Sequence, residues 1–119
     1  SGEWVALLPG SKPAKLSVGV PFLLDTADRL AAQRPGCRFL LPVAPTTTVE
    51  DLERYASRSN PIAASYDTDV ASIEPARAGE GLRRLITRNG TEIHLQENPM
   101  FLPKKHSNLL QYPTSRPDN

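Results

Sequence analysis

Cysteine, histidine and aromatic side chains are all scarce in this 119-residue sequence, with one cysteine, two histidines and 6% aromatics. A lone Cys37 excludes an internal disulfide and any cysteine metal cluster. His94 and His106 have no metal-ligand spacing, so no metal site is expected. An excess of one charge is missing too. With 14 basic and 13 acidic residues the net charge is +1, which points to neither nucleic acid nor an anionic membrane as partner. No apolar run approaches the ~20 residues of a membrane span, and no signal-peptide pattern opens the chain. The expectation is a soluble, cytosolic protein. There is no internal repeat. Size allows one domain or part of a larger one. The 39% of hydrophobic residues must build the core from aliphatic side chains.

What the sequence does have is an organising stretch at Trp4-Val-Ala-Leu-Leu-Pro-Gly-Ser-Lys12. An apolar run stops at Pro9-Gly10, a short polar loop follows, and a helical pattern begins near Ser17. Strand, tight glycine loop, then helix is how α/β proteins make an anion site. Glycine lets the backbone approach a phosphate, and the helix N-terminus presents unpaired N–H groups and a partial positive charge. Gly10, Ser11 and Lys12 are the candidate phosphate-binding residues: backbone, hydroxyl donor and full positive charge. Gly-Ser-Lys is a weak motif by itself, since many such turns hold glycine and serine only for geometry.

Residues 4–8 read as a strand buried on both faces, because the run is apolar without alternation. Val20, Leu23, Leu24, Ala27 and Ala31 form one stripe of a helix, with Pro21 placed in its first turn. Phe22 falls off the stripe, and Asp25, Asp28 and Arg29 face solvent. Pro35-Gly36 ends the helix. Residues 38–44 are a second strand, parallel to the first through a right-handed crossover. Thr47 or Thr48 caps a second helix over residues 49–56, with Glu50 and Asp51 favouring its dipole. Residues 62–81 read as a long loop, with a short strand possible at 62–64.

Asn89-Gly90 marks a β-hairpin over residues 85–95, and a two-residue turn there sets Ile86 opposite Ile93. Residues 98–119 read as an irregular tail, with local packing at 100–102 and 109–110 and a solvated Lys104-Lys105-His106 run. His94, on a hairpin arm, reads as an exposed or half-buried strand residue and not a catalytic base. Asp67-Thr-Asp69 lacks the glycine and glutamate of a calcium loop. Ser11 lacks a nucleophile elbow, and the loop is too short for a Walker motif.

Ala6-Leu-Leu-Pro-Gly-Ser-Lys12, a helix, and Arg38-Phe-Leu-Leu-Pro-Val-Ala-Pro45 together resemble the start of the C-terminal domain of lipid-A-disaccharide synthases. The likeness is nearer to the related proteins of cyanobacterial type, and Thr87-Arg-Asn-Gly-Thr-Glu-Ile-His-Leu95 is similar to that subgroup. It covers roughly residues 4–95. In the family's own pattern an arginine stands where this chain has Lys12, which keeps the charge and loses the bidentate fork. A glutamate stands where it has Lys15, a charge reversal.

The resemblance implies a GT-B glycosyltransferase of two Rossmann domains, inverting and free of metal and other cofactors. It would move sugar from a UDP-sugar donor to a lipid-linked or other sugar acceptor. Residues 1–119 would be part of the C-terminal, donor-binding domain, an α/β Rossmann-like half-domain with parallel strands plus the hairpin. Gly10, Ser11 and Lys12 would meet the donor phosphates. No catalytic residue is assigned, because the N-terminal domain that would supply the base and the acceptor contacts is absent. The Gly-Thr-Ala-Thr-x-Glu type motif expected after the hairpin is also absent. Such a chain is expected to be inactive alone, and the parent cytoplasmic, with peripheral association to the inner membrane left open. Lys15 and the missing motif keep a second expectation open: a non-catalytic nucleotide-binding or protein-interaction module on the same half-Rossmann frame.

Overall fold

The computed structural model describes residues 3–97. Its elements run β1 (Trp4–Ala6), α1 (Pro13–Gln33), β2 (Arg38–Pro42), α2 (Val49–Ala56), a 3-10 turn (Ala63–Ser65), β3 (Val70–Glu74), β4 (Arg83–Thr87) and β5 (Glu92–Gln96). The five strands form one mixed sheet in the order β1-β2-β5-β4-β3. β1, β2 and β5 are mutually parallel, and β4 pairs antiparallel with both β5 and β3. This is an α/β, Rossmann-like half-domain, with the hairpin built into the sheet and not set apart from it. The irregular tail expected at 98–119 lies outside the described residues.

α1 begins at Pro13, four residues before the sequence reading, and this changes the meaning of Pro21. Pro13 takes the first-turn position, where a missing N–H costs nothing. Pro21 therefore sits in the helix interior, where it leaves the carbonyl of Ser17 without its N–H partner. The expected stripe holds: Leu16, Val20, Leu24 and Ala27 are buried, and Leu23 and Ala31 pack against them. Phe22, off the stripe, is exposed. Asp28 is the exception on the polar face. Its carboxylate accepts from Thr87 Oγ1 at 2.7 Å and Asn89 Nδ2 at 2.9 Å, because the hairpin turn folds back over α1.

The hairpin is one residue longer in its loop than expected. Leu85 pairs with Ile93 and Ile86 with Glu92, so the Ile86–Ile93 pair does not form. Thr87 N–H donates to Thr91 O at 2.9 Å and Gly90 N–H to Thr87 O at 2.9 Å, closing a three-residue loop with Gly90 at φ +93°. A one-residue slip sends a side chain to the other face. Ile86 is accordingly half-buried, opposite the core, while Leu85 and Ile93 are fully buried. Residues 62–81 are not one long loop either. Instead of a strand at 62–64 there is the 3-10 turn, and β3 follows as an edge strand held by β4.

Both helices cover one face of the sheet. Leu16, Val20, Leu24 and Ala27 of α1, with Val49, Leu52 and Ala56 of α2, pack on Phe39, Leu41, Leu85, Ile93 and Leu95. Burial of such side chains contributes about 1.5–3 kcal/mol each. The other face carries Ala6, Leu40, His94, Arg84 and Glu74 in one row across all five strands. β1 is thus not buried on both sides. It is an edge strand whose Trp4 remains 48% exposed, and Leu8 just beyond it is 70% exposed. A continuous apolar run looks the same in a central and an edge strand, and this is where the sequence pattern misled.

Candidate functional site

The parallel strands bring their C-terminal ends to one edge of the sheet, the place where open α/β folds bind ligands. Leu7-Leu8-Pro9-Gly10 leaves β1 there, Val43 to Thr48 leaves β2, and Gln96-Glu97 leaves β5. Val43 N–H donates to Gln96 O at 2.8 Å, so the β2 and β5 exits are tied together.

The loop from β1 is held closely against α1. Pro9 is buried, and Gly10 adopts φ +99°, which only glycine accepts without strain. A Cβ on Gly10 would stand 2.9 Å from Lys15 Cβ, so glycine is needed for space as well as for conformation. A second close approach lies one helical turn on. A Cβ on Gly19 would stand 2.7 Å from Pro9 O and 3.0 Å from Pro9 Cα. Gly19 therefore lets the loop rest on the helix backbone.

Two helices begin at this edge, and they differ. The N-terminus of α2 caps itself: Asp51 N–H donates to Thr48 Oγ1 and Thr48 N–H to Asp51 Oδ2, each at 3.0 Å. This reciprocal box identifies Thr48 as the cap and pairs the N–H groups of Thr48 and Asp51 internally. At α1 the N-cap is Lys12, with no side-chain cap and no acidic residue in the first turn. Its free N–H groups and dipole therefore face outward, directly after Gly10. Ser11, Lys12 and Lys15 are exposed, and neither lysine has an ion-pair partner among the described residues. The structure thus brings Gly10, Ser11 and Lys12 together at the uncapped helix start. It places no histidine, aspartate or glutamate of the described residues in a group fit to hold a metal ion.

Asn60 and the Arg83–Glu97 pair also belong to this region, and sequence reasoning missed them. Asn60 Nδ2 donates to Ser17 O at 2.9 Å and to Tyr55 O at 2.7 Å, joining the first turns of α1 to the end of α2. In the sequence Asn60-Pro61 is legible only as a helix stop. Arg83 donates to Glu97 at 2.8 and 2.6 Å, and this hydrogen bonding holds the Glu97 carboxyl below the usual range against the opposing effect of burial.

Comparison with known proteins bears on the same chain. No family model matches it, and no solved structure matches it. A lipid-A-disaccharide synthase of Pseudomonas paraeruginosa is 33% identical over 111 residues, which is 91% of this chain. The chain belongs to the lipid-A-disaccharide synthase family. It spans 28% of the length of that relative. The synthase of Anaeromyxobacter dehalogenans is 43% identical over 51 residues, 43% of this chain and 13% of the relative. A synthase of Pseudomonas fluorescens is 44% identical over 62 residues, half of the chain and 16% of its own length. Membership in this family agrees with the likeness carried by Ala6–Lys12 and Arg38–Pro45. Among the described residues no helix is long and apolar enough to cross a membrane.

Proposed function

We infer that this chain supplies the phosphate-binding part of a UDP-sugar donor site in a lipid-A-disaccharide-synthase-related glycosyltransferase of the GT-B type. The observation that carries this reading is the contrast between the two helix starts at the sheet edge. α2 pairs the N–H groups of Thr48 and Asp51 in its own capping box and carries Glu50 and Asp51 in its first turn, while α1, behind Gly10, has neither a side-chain cap nor an acidic residue there. Gly10 lets the backbone come close to a diphosphate, Ser11 offers a hydroxyl, and Lys12 supplies a point charge. The acceptor site and the catalytic base come, in this reading, from polypeptide outside the 119 residues. The cyanobacterial-type subgroup, the cytoplasmic location and peripheral association with the inner membrane belong to the same proposal.

Binding of UDP to the isolated chain should be weak, since each charged hydrogen bond missing from the rest of the site forgoes roughly 1.5–3 kcal/mol. Titration of UDP into isotope-labelled protein should shift amides within residues 9–17. Lys12→Ala should weaken the binding and flatten its dependence on salt. No turnover of a UDP-sugar is expected from this chain alone. Amide shifts elsewhere, or none at millimolar UDP, would leave Pro9-Gly10 as a turn and end the donor-site reading.

A further inference from the structure

The face of the sheet that the helices leave open has a covering of its own. Residues 75–82 connect β3 to β4 and cross this face as a strap. Arg77 fastens it to the sheet through a two-pronged pair with Glu92, at 2.9 and 2.5 Å. Arg84 Nε donates to Pro75 O at 3.1 Å, which fixes the start of the strap. Glu80 N–H donates to Arg77 O, and Gly79 and Gly81 adopt φ +84° and +77° on either side of Glu80. The strap is therefore anchored at one end and bends at two glycines beside Glu80.

Beneath it lies His94, 3% exposed, in the central row of the open face. Its Nδ1 is 3.3 Å from Phe39 O, a carbonyl that can only accept, so Nδ1 carries a proton. In the neutral ring Nε2 is then a bare acceptor. It has no hydrogen-bond partner among the described residues, and it faces two more acceptors, Glu80 Oε1 at 3.7 Å and Glu92 Oε1 at 3.9 Å. Arg77 Nη1 donates to Glu92 Oε1 at 2.9 Å and stands 3.8 Å from Glu80 Oε1, but Nε2 itself meets no donor, which is unfavourable for a buried acceptor. A second proton on the ring turns Nε2 into the missing donor. Glu92 already receives both arginines within hydrogen-bond distance, whereas Glu80 has Arg77 Nη1 only at 3.8 Å, so Glu80 is the carboxylate left to respond.

We propose that His94 and Glu80 form a proton-controlled latch that closes the 75–82 strap over the open face of the sheet. The other charged and titratable groups around the ring are Arg77 on the strap, Arg84 on β4 and Glu92 on β5. Arg38 on β2 and Cys37 line a cavity of about 200 Å³ with His94. Trp4 of β1 meets the ring edge-on, with centroids 5.3 Å apart, and Arg38 stacks over Trp4 at 4.4 Å. Glu92 stays ionised through the histidine range, because Arg77, with Arg84, holds its carboxyl down to about 2. The anchor therefore persists whichever charge the ring carries. This inference is independent of the donor-site reading, which concerns the strand ends and the other face.

Trp4 is the only tryptophan and touches His94, so its fluorescence reports the ring directly. The test uses the 119-residue chain between about pH 8 and about pH 5, the range in which histidines change charge. Acidification should quench Trp4 in a one-proton step. Hydrogen exchange at Glu80 and Gly81, corrected for its intrinsic pH dependence, should slow over the same step by about tenfold or more, the effect of one charge-assisted hydrogen bond. His94→Gln should abolish both responses. Glu80→Gln should keep the quenching and lose the exchange response, which separates the latch from a fold-wide effect. Quenching without a strap response in the unmodified chain, or a strap response that survives Glu80→Gln, overturns the proposal.

Discussion

Asn60 supplies the hydrogen bond that Pro21 removes. Inside α1 the carbonyl of Ser17 would normally receive the N–H of residue 21, and proline has none. Asn60 Nδ2, arriving from beyond α2, donates to that carbonyl at 2.9 Å. Its other amide hydrogen goes to Tyr55 O at 2.7 Å, and its Oδ1 accepts from Ile62 N–H. Every hydrogen-bonding group of the side chain is used. A helix defect thus becomes the joint between α1 and α2.

Removing the joint should be costly. Asn60→Ala leaves two carbonyls unpaired and should destabilise the fold by about 1–3 kcal/mol in urea or thermal unfolding. Pro21→Ala restores an N–H for Ser17, so the loss from Asn60→Ala should shrink in that background. Strict additivity of the two substitutions would mean that the carbonyl is not shared as described.

Gly19→Ala should reverse a familiar sign. In an unobstructed helix the change stabilises by about 0.5–1 kcal/mol. Here the new Cβ would meet Pro9 O at 2.7 Å. The variant should melt below the parent, with the largest amide shifts at Gly10 and Ser11. A higher melting temperature would show that the loop does not rest on the helix.

Thr48→Ala should lower stability by about 0.5–2 kcal/mol, as the reciprocal cap of α2 is lost. The substitution has a second use. It leaves donors free at a second helix start, while UDP-induced shifts should stay at residues 9–17. Migration of the shifts to residues 46–51 would argue that any uncapped N-terminus at this edge serves equally.

Acid stability should depend on Glu92. Hydrogen bonding to Arg77 first, and then to Arg84, lowers its carboxyl from 4.5 to about 2, despite opposing burial. A folded-state value below the unfolded one gives stability that is present above the unfolded pKa and lost as pH falls through the folded one. Stability should therefore decline between about pH 4.5 and about pH 2, and Glu92→Gln should flatten that decline. Asp28 adds in the same direction. Burial pushes its carboxyl up, but the hydrogen bonds it accepts, from Asn89 and Thr87, take it below the ordinary value. An unfolding profile of Glu92→Gln that still tracks the parent through this window would remove Glu92 from the explanation.

What could be read in the sequence were features that speak through near neighbours. The stripe from Val20 to Ala31, the cap at Thr48, the Pro35-Gly36 stop and the glycine turn before α1 all depend on spacing within one element, and all are present. Features settled by distant partners were not legible. Pro21 was misplaced because only Asn60, far along the chain, makes an interior proline acceptable. Asp28 looked like surface because its partners come from the hairpin turn. β3 has weak alternation and is a strand only because β4 pairs with it. At the candidate site Gly10, Ser11, Lys12 and a helix start behind them could be named from sequence, but the start itself, at Pro13 with Lys12 as the N-cap, could not.

The position of β5 has a consequence for synthesis and assembly. It is the last described strand along the chain, yet it lies third of five in the sheet, between β2 and β4. Before it exists, β1 pairs only with β2, and β3 only with β4, and no strand pairing connects the two ribbons. Its three central residues, Ile93, His94 and Leu95, are all buried, so neither ribbon has a finished surface until then. Contacts that wait for a late, central strand carry long loop-closure distances and form slowly. A chain cut or stalled before Glu92 would hold two unjoined strand pairs with open edges, the form in which such sequences meet chaperones, proteases or one another.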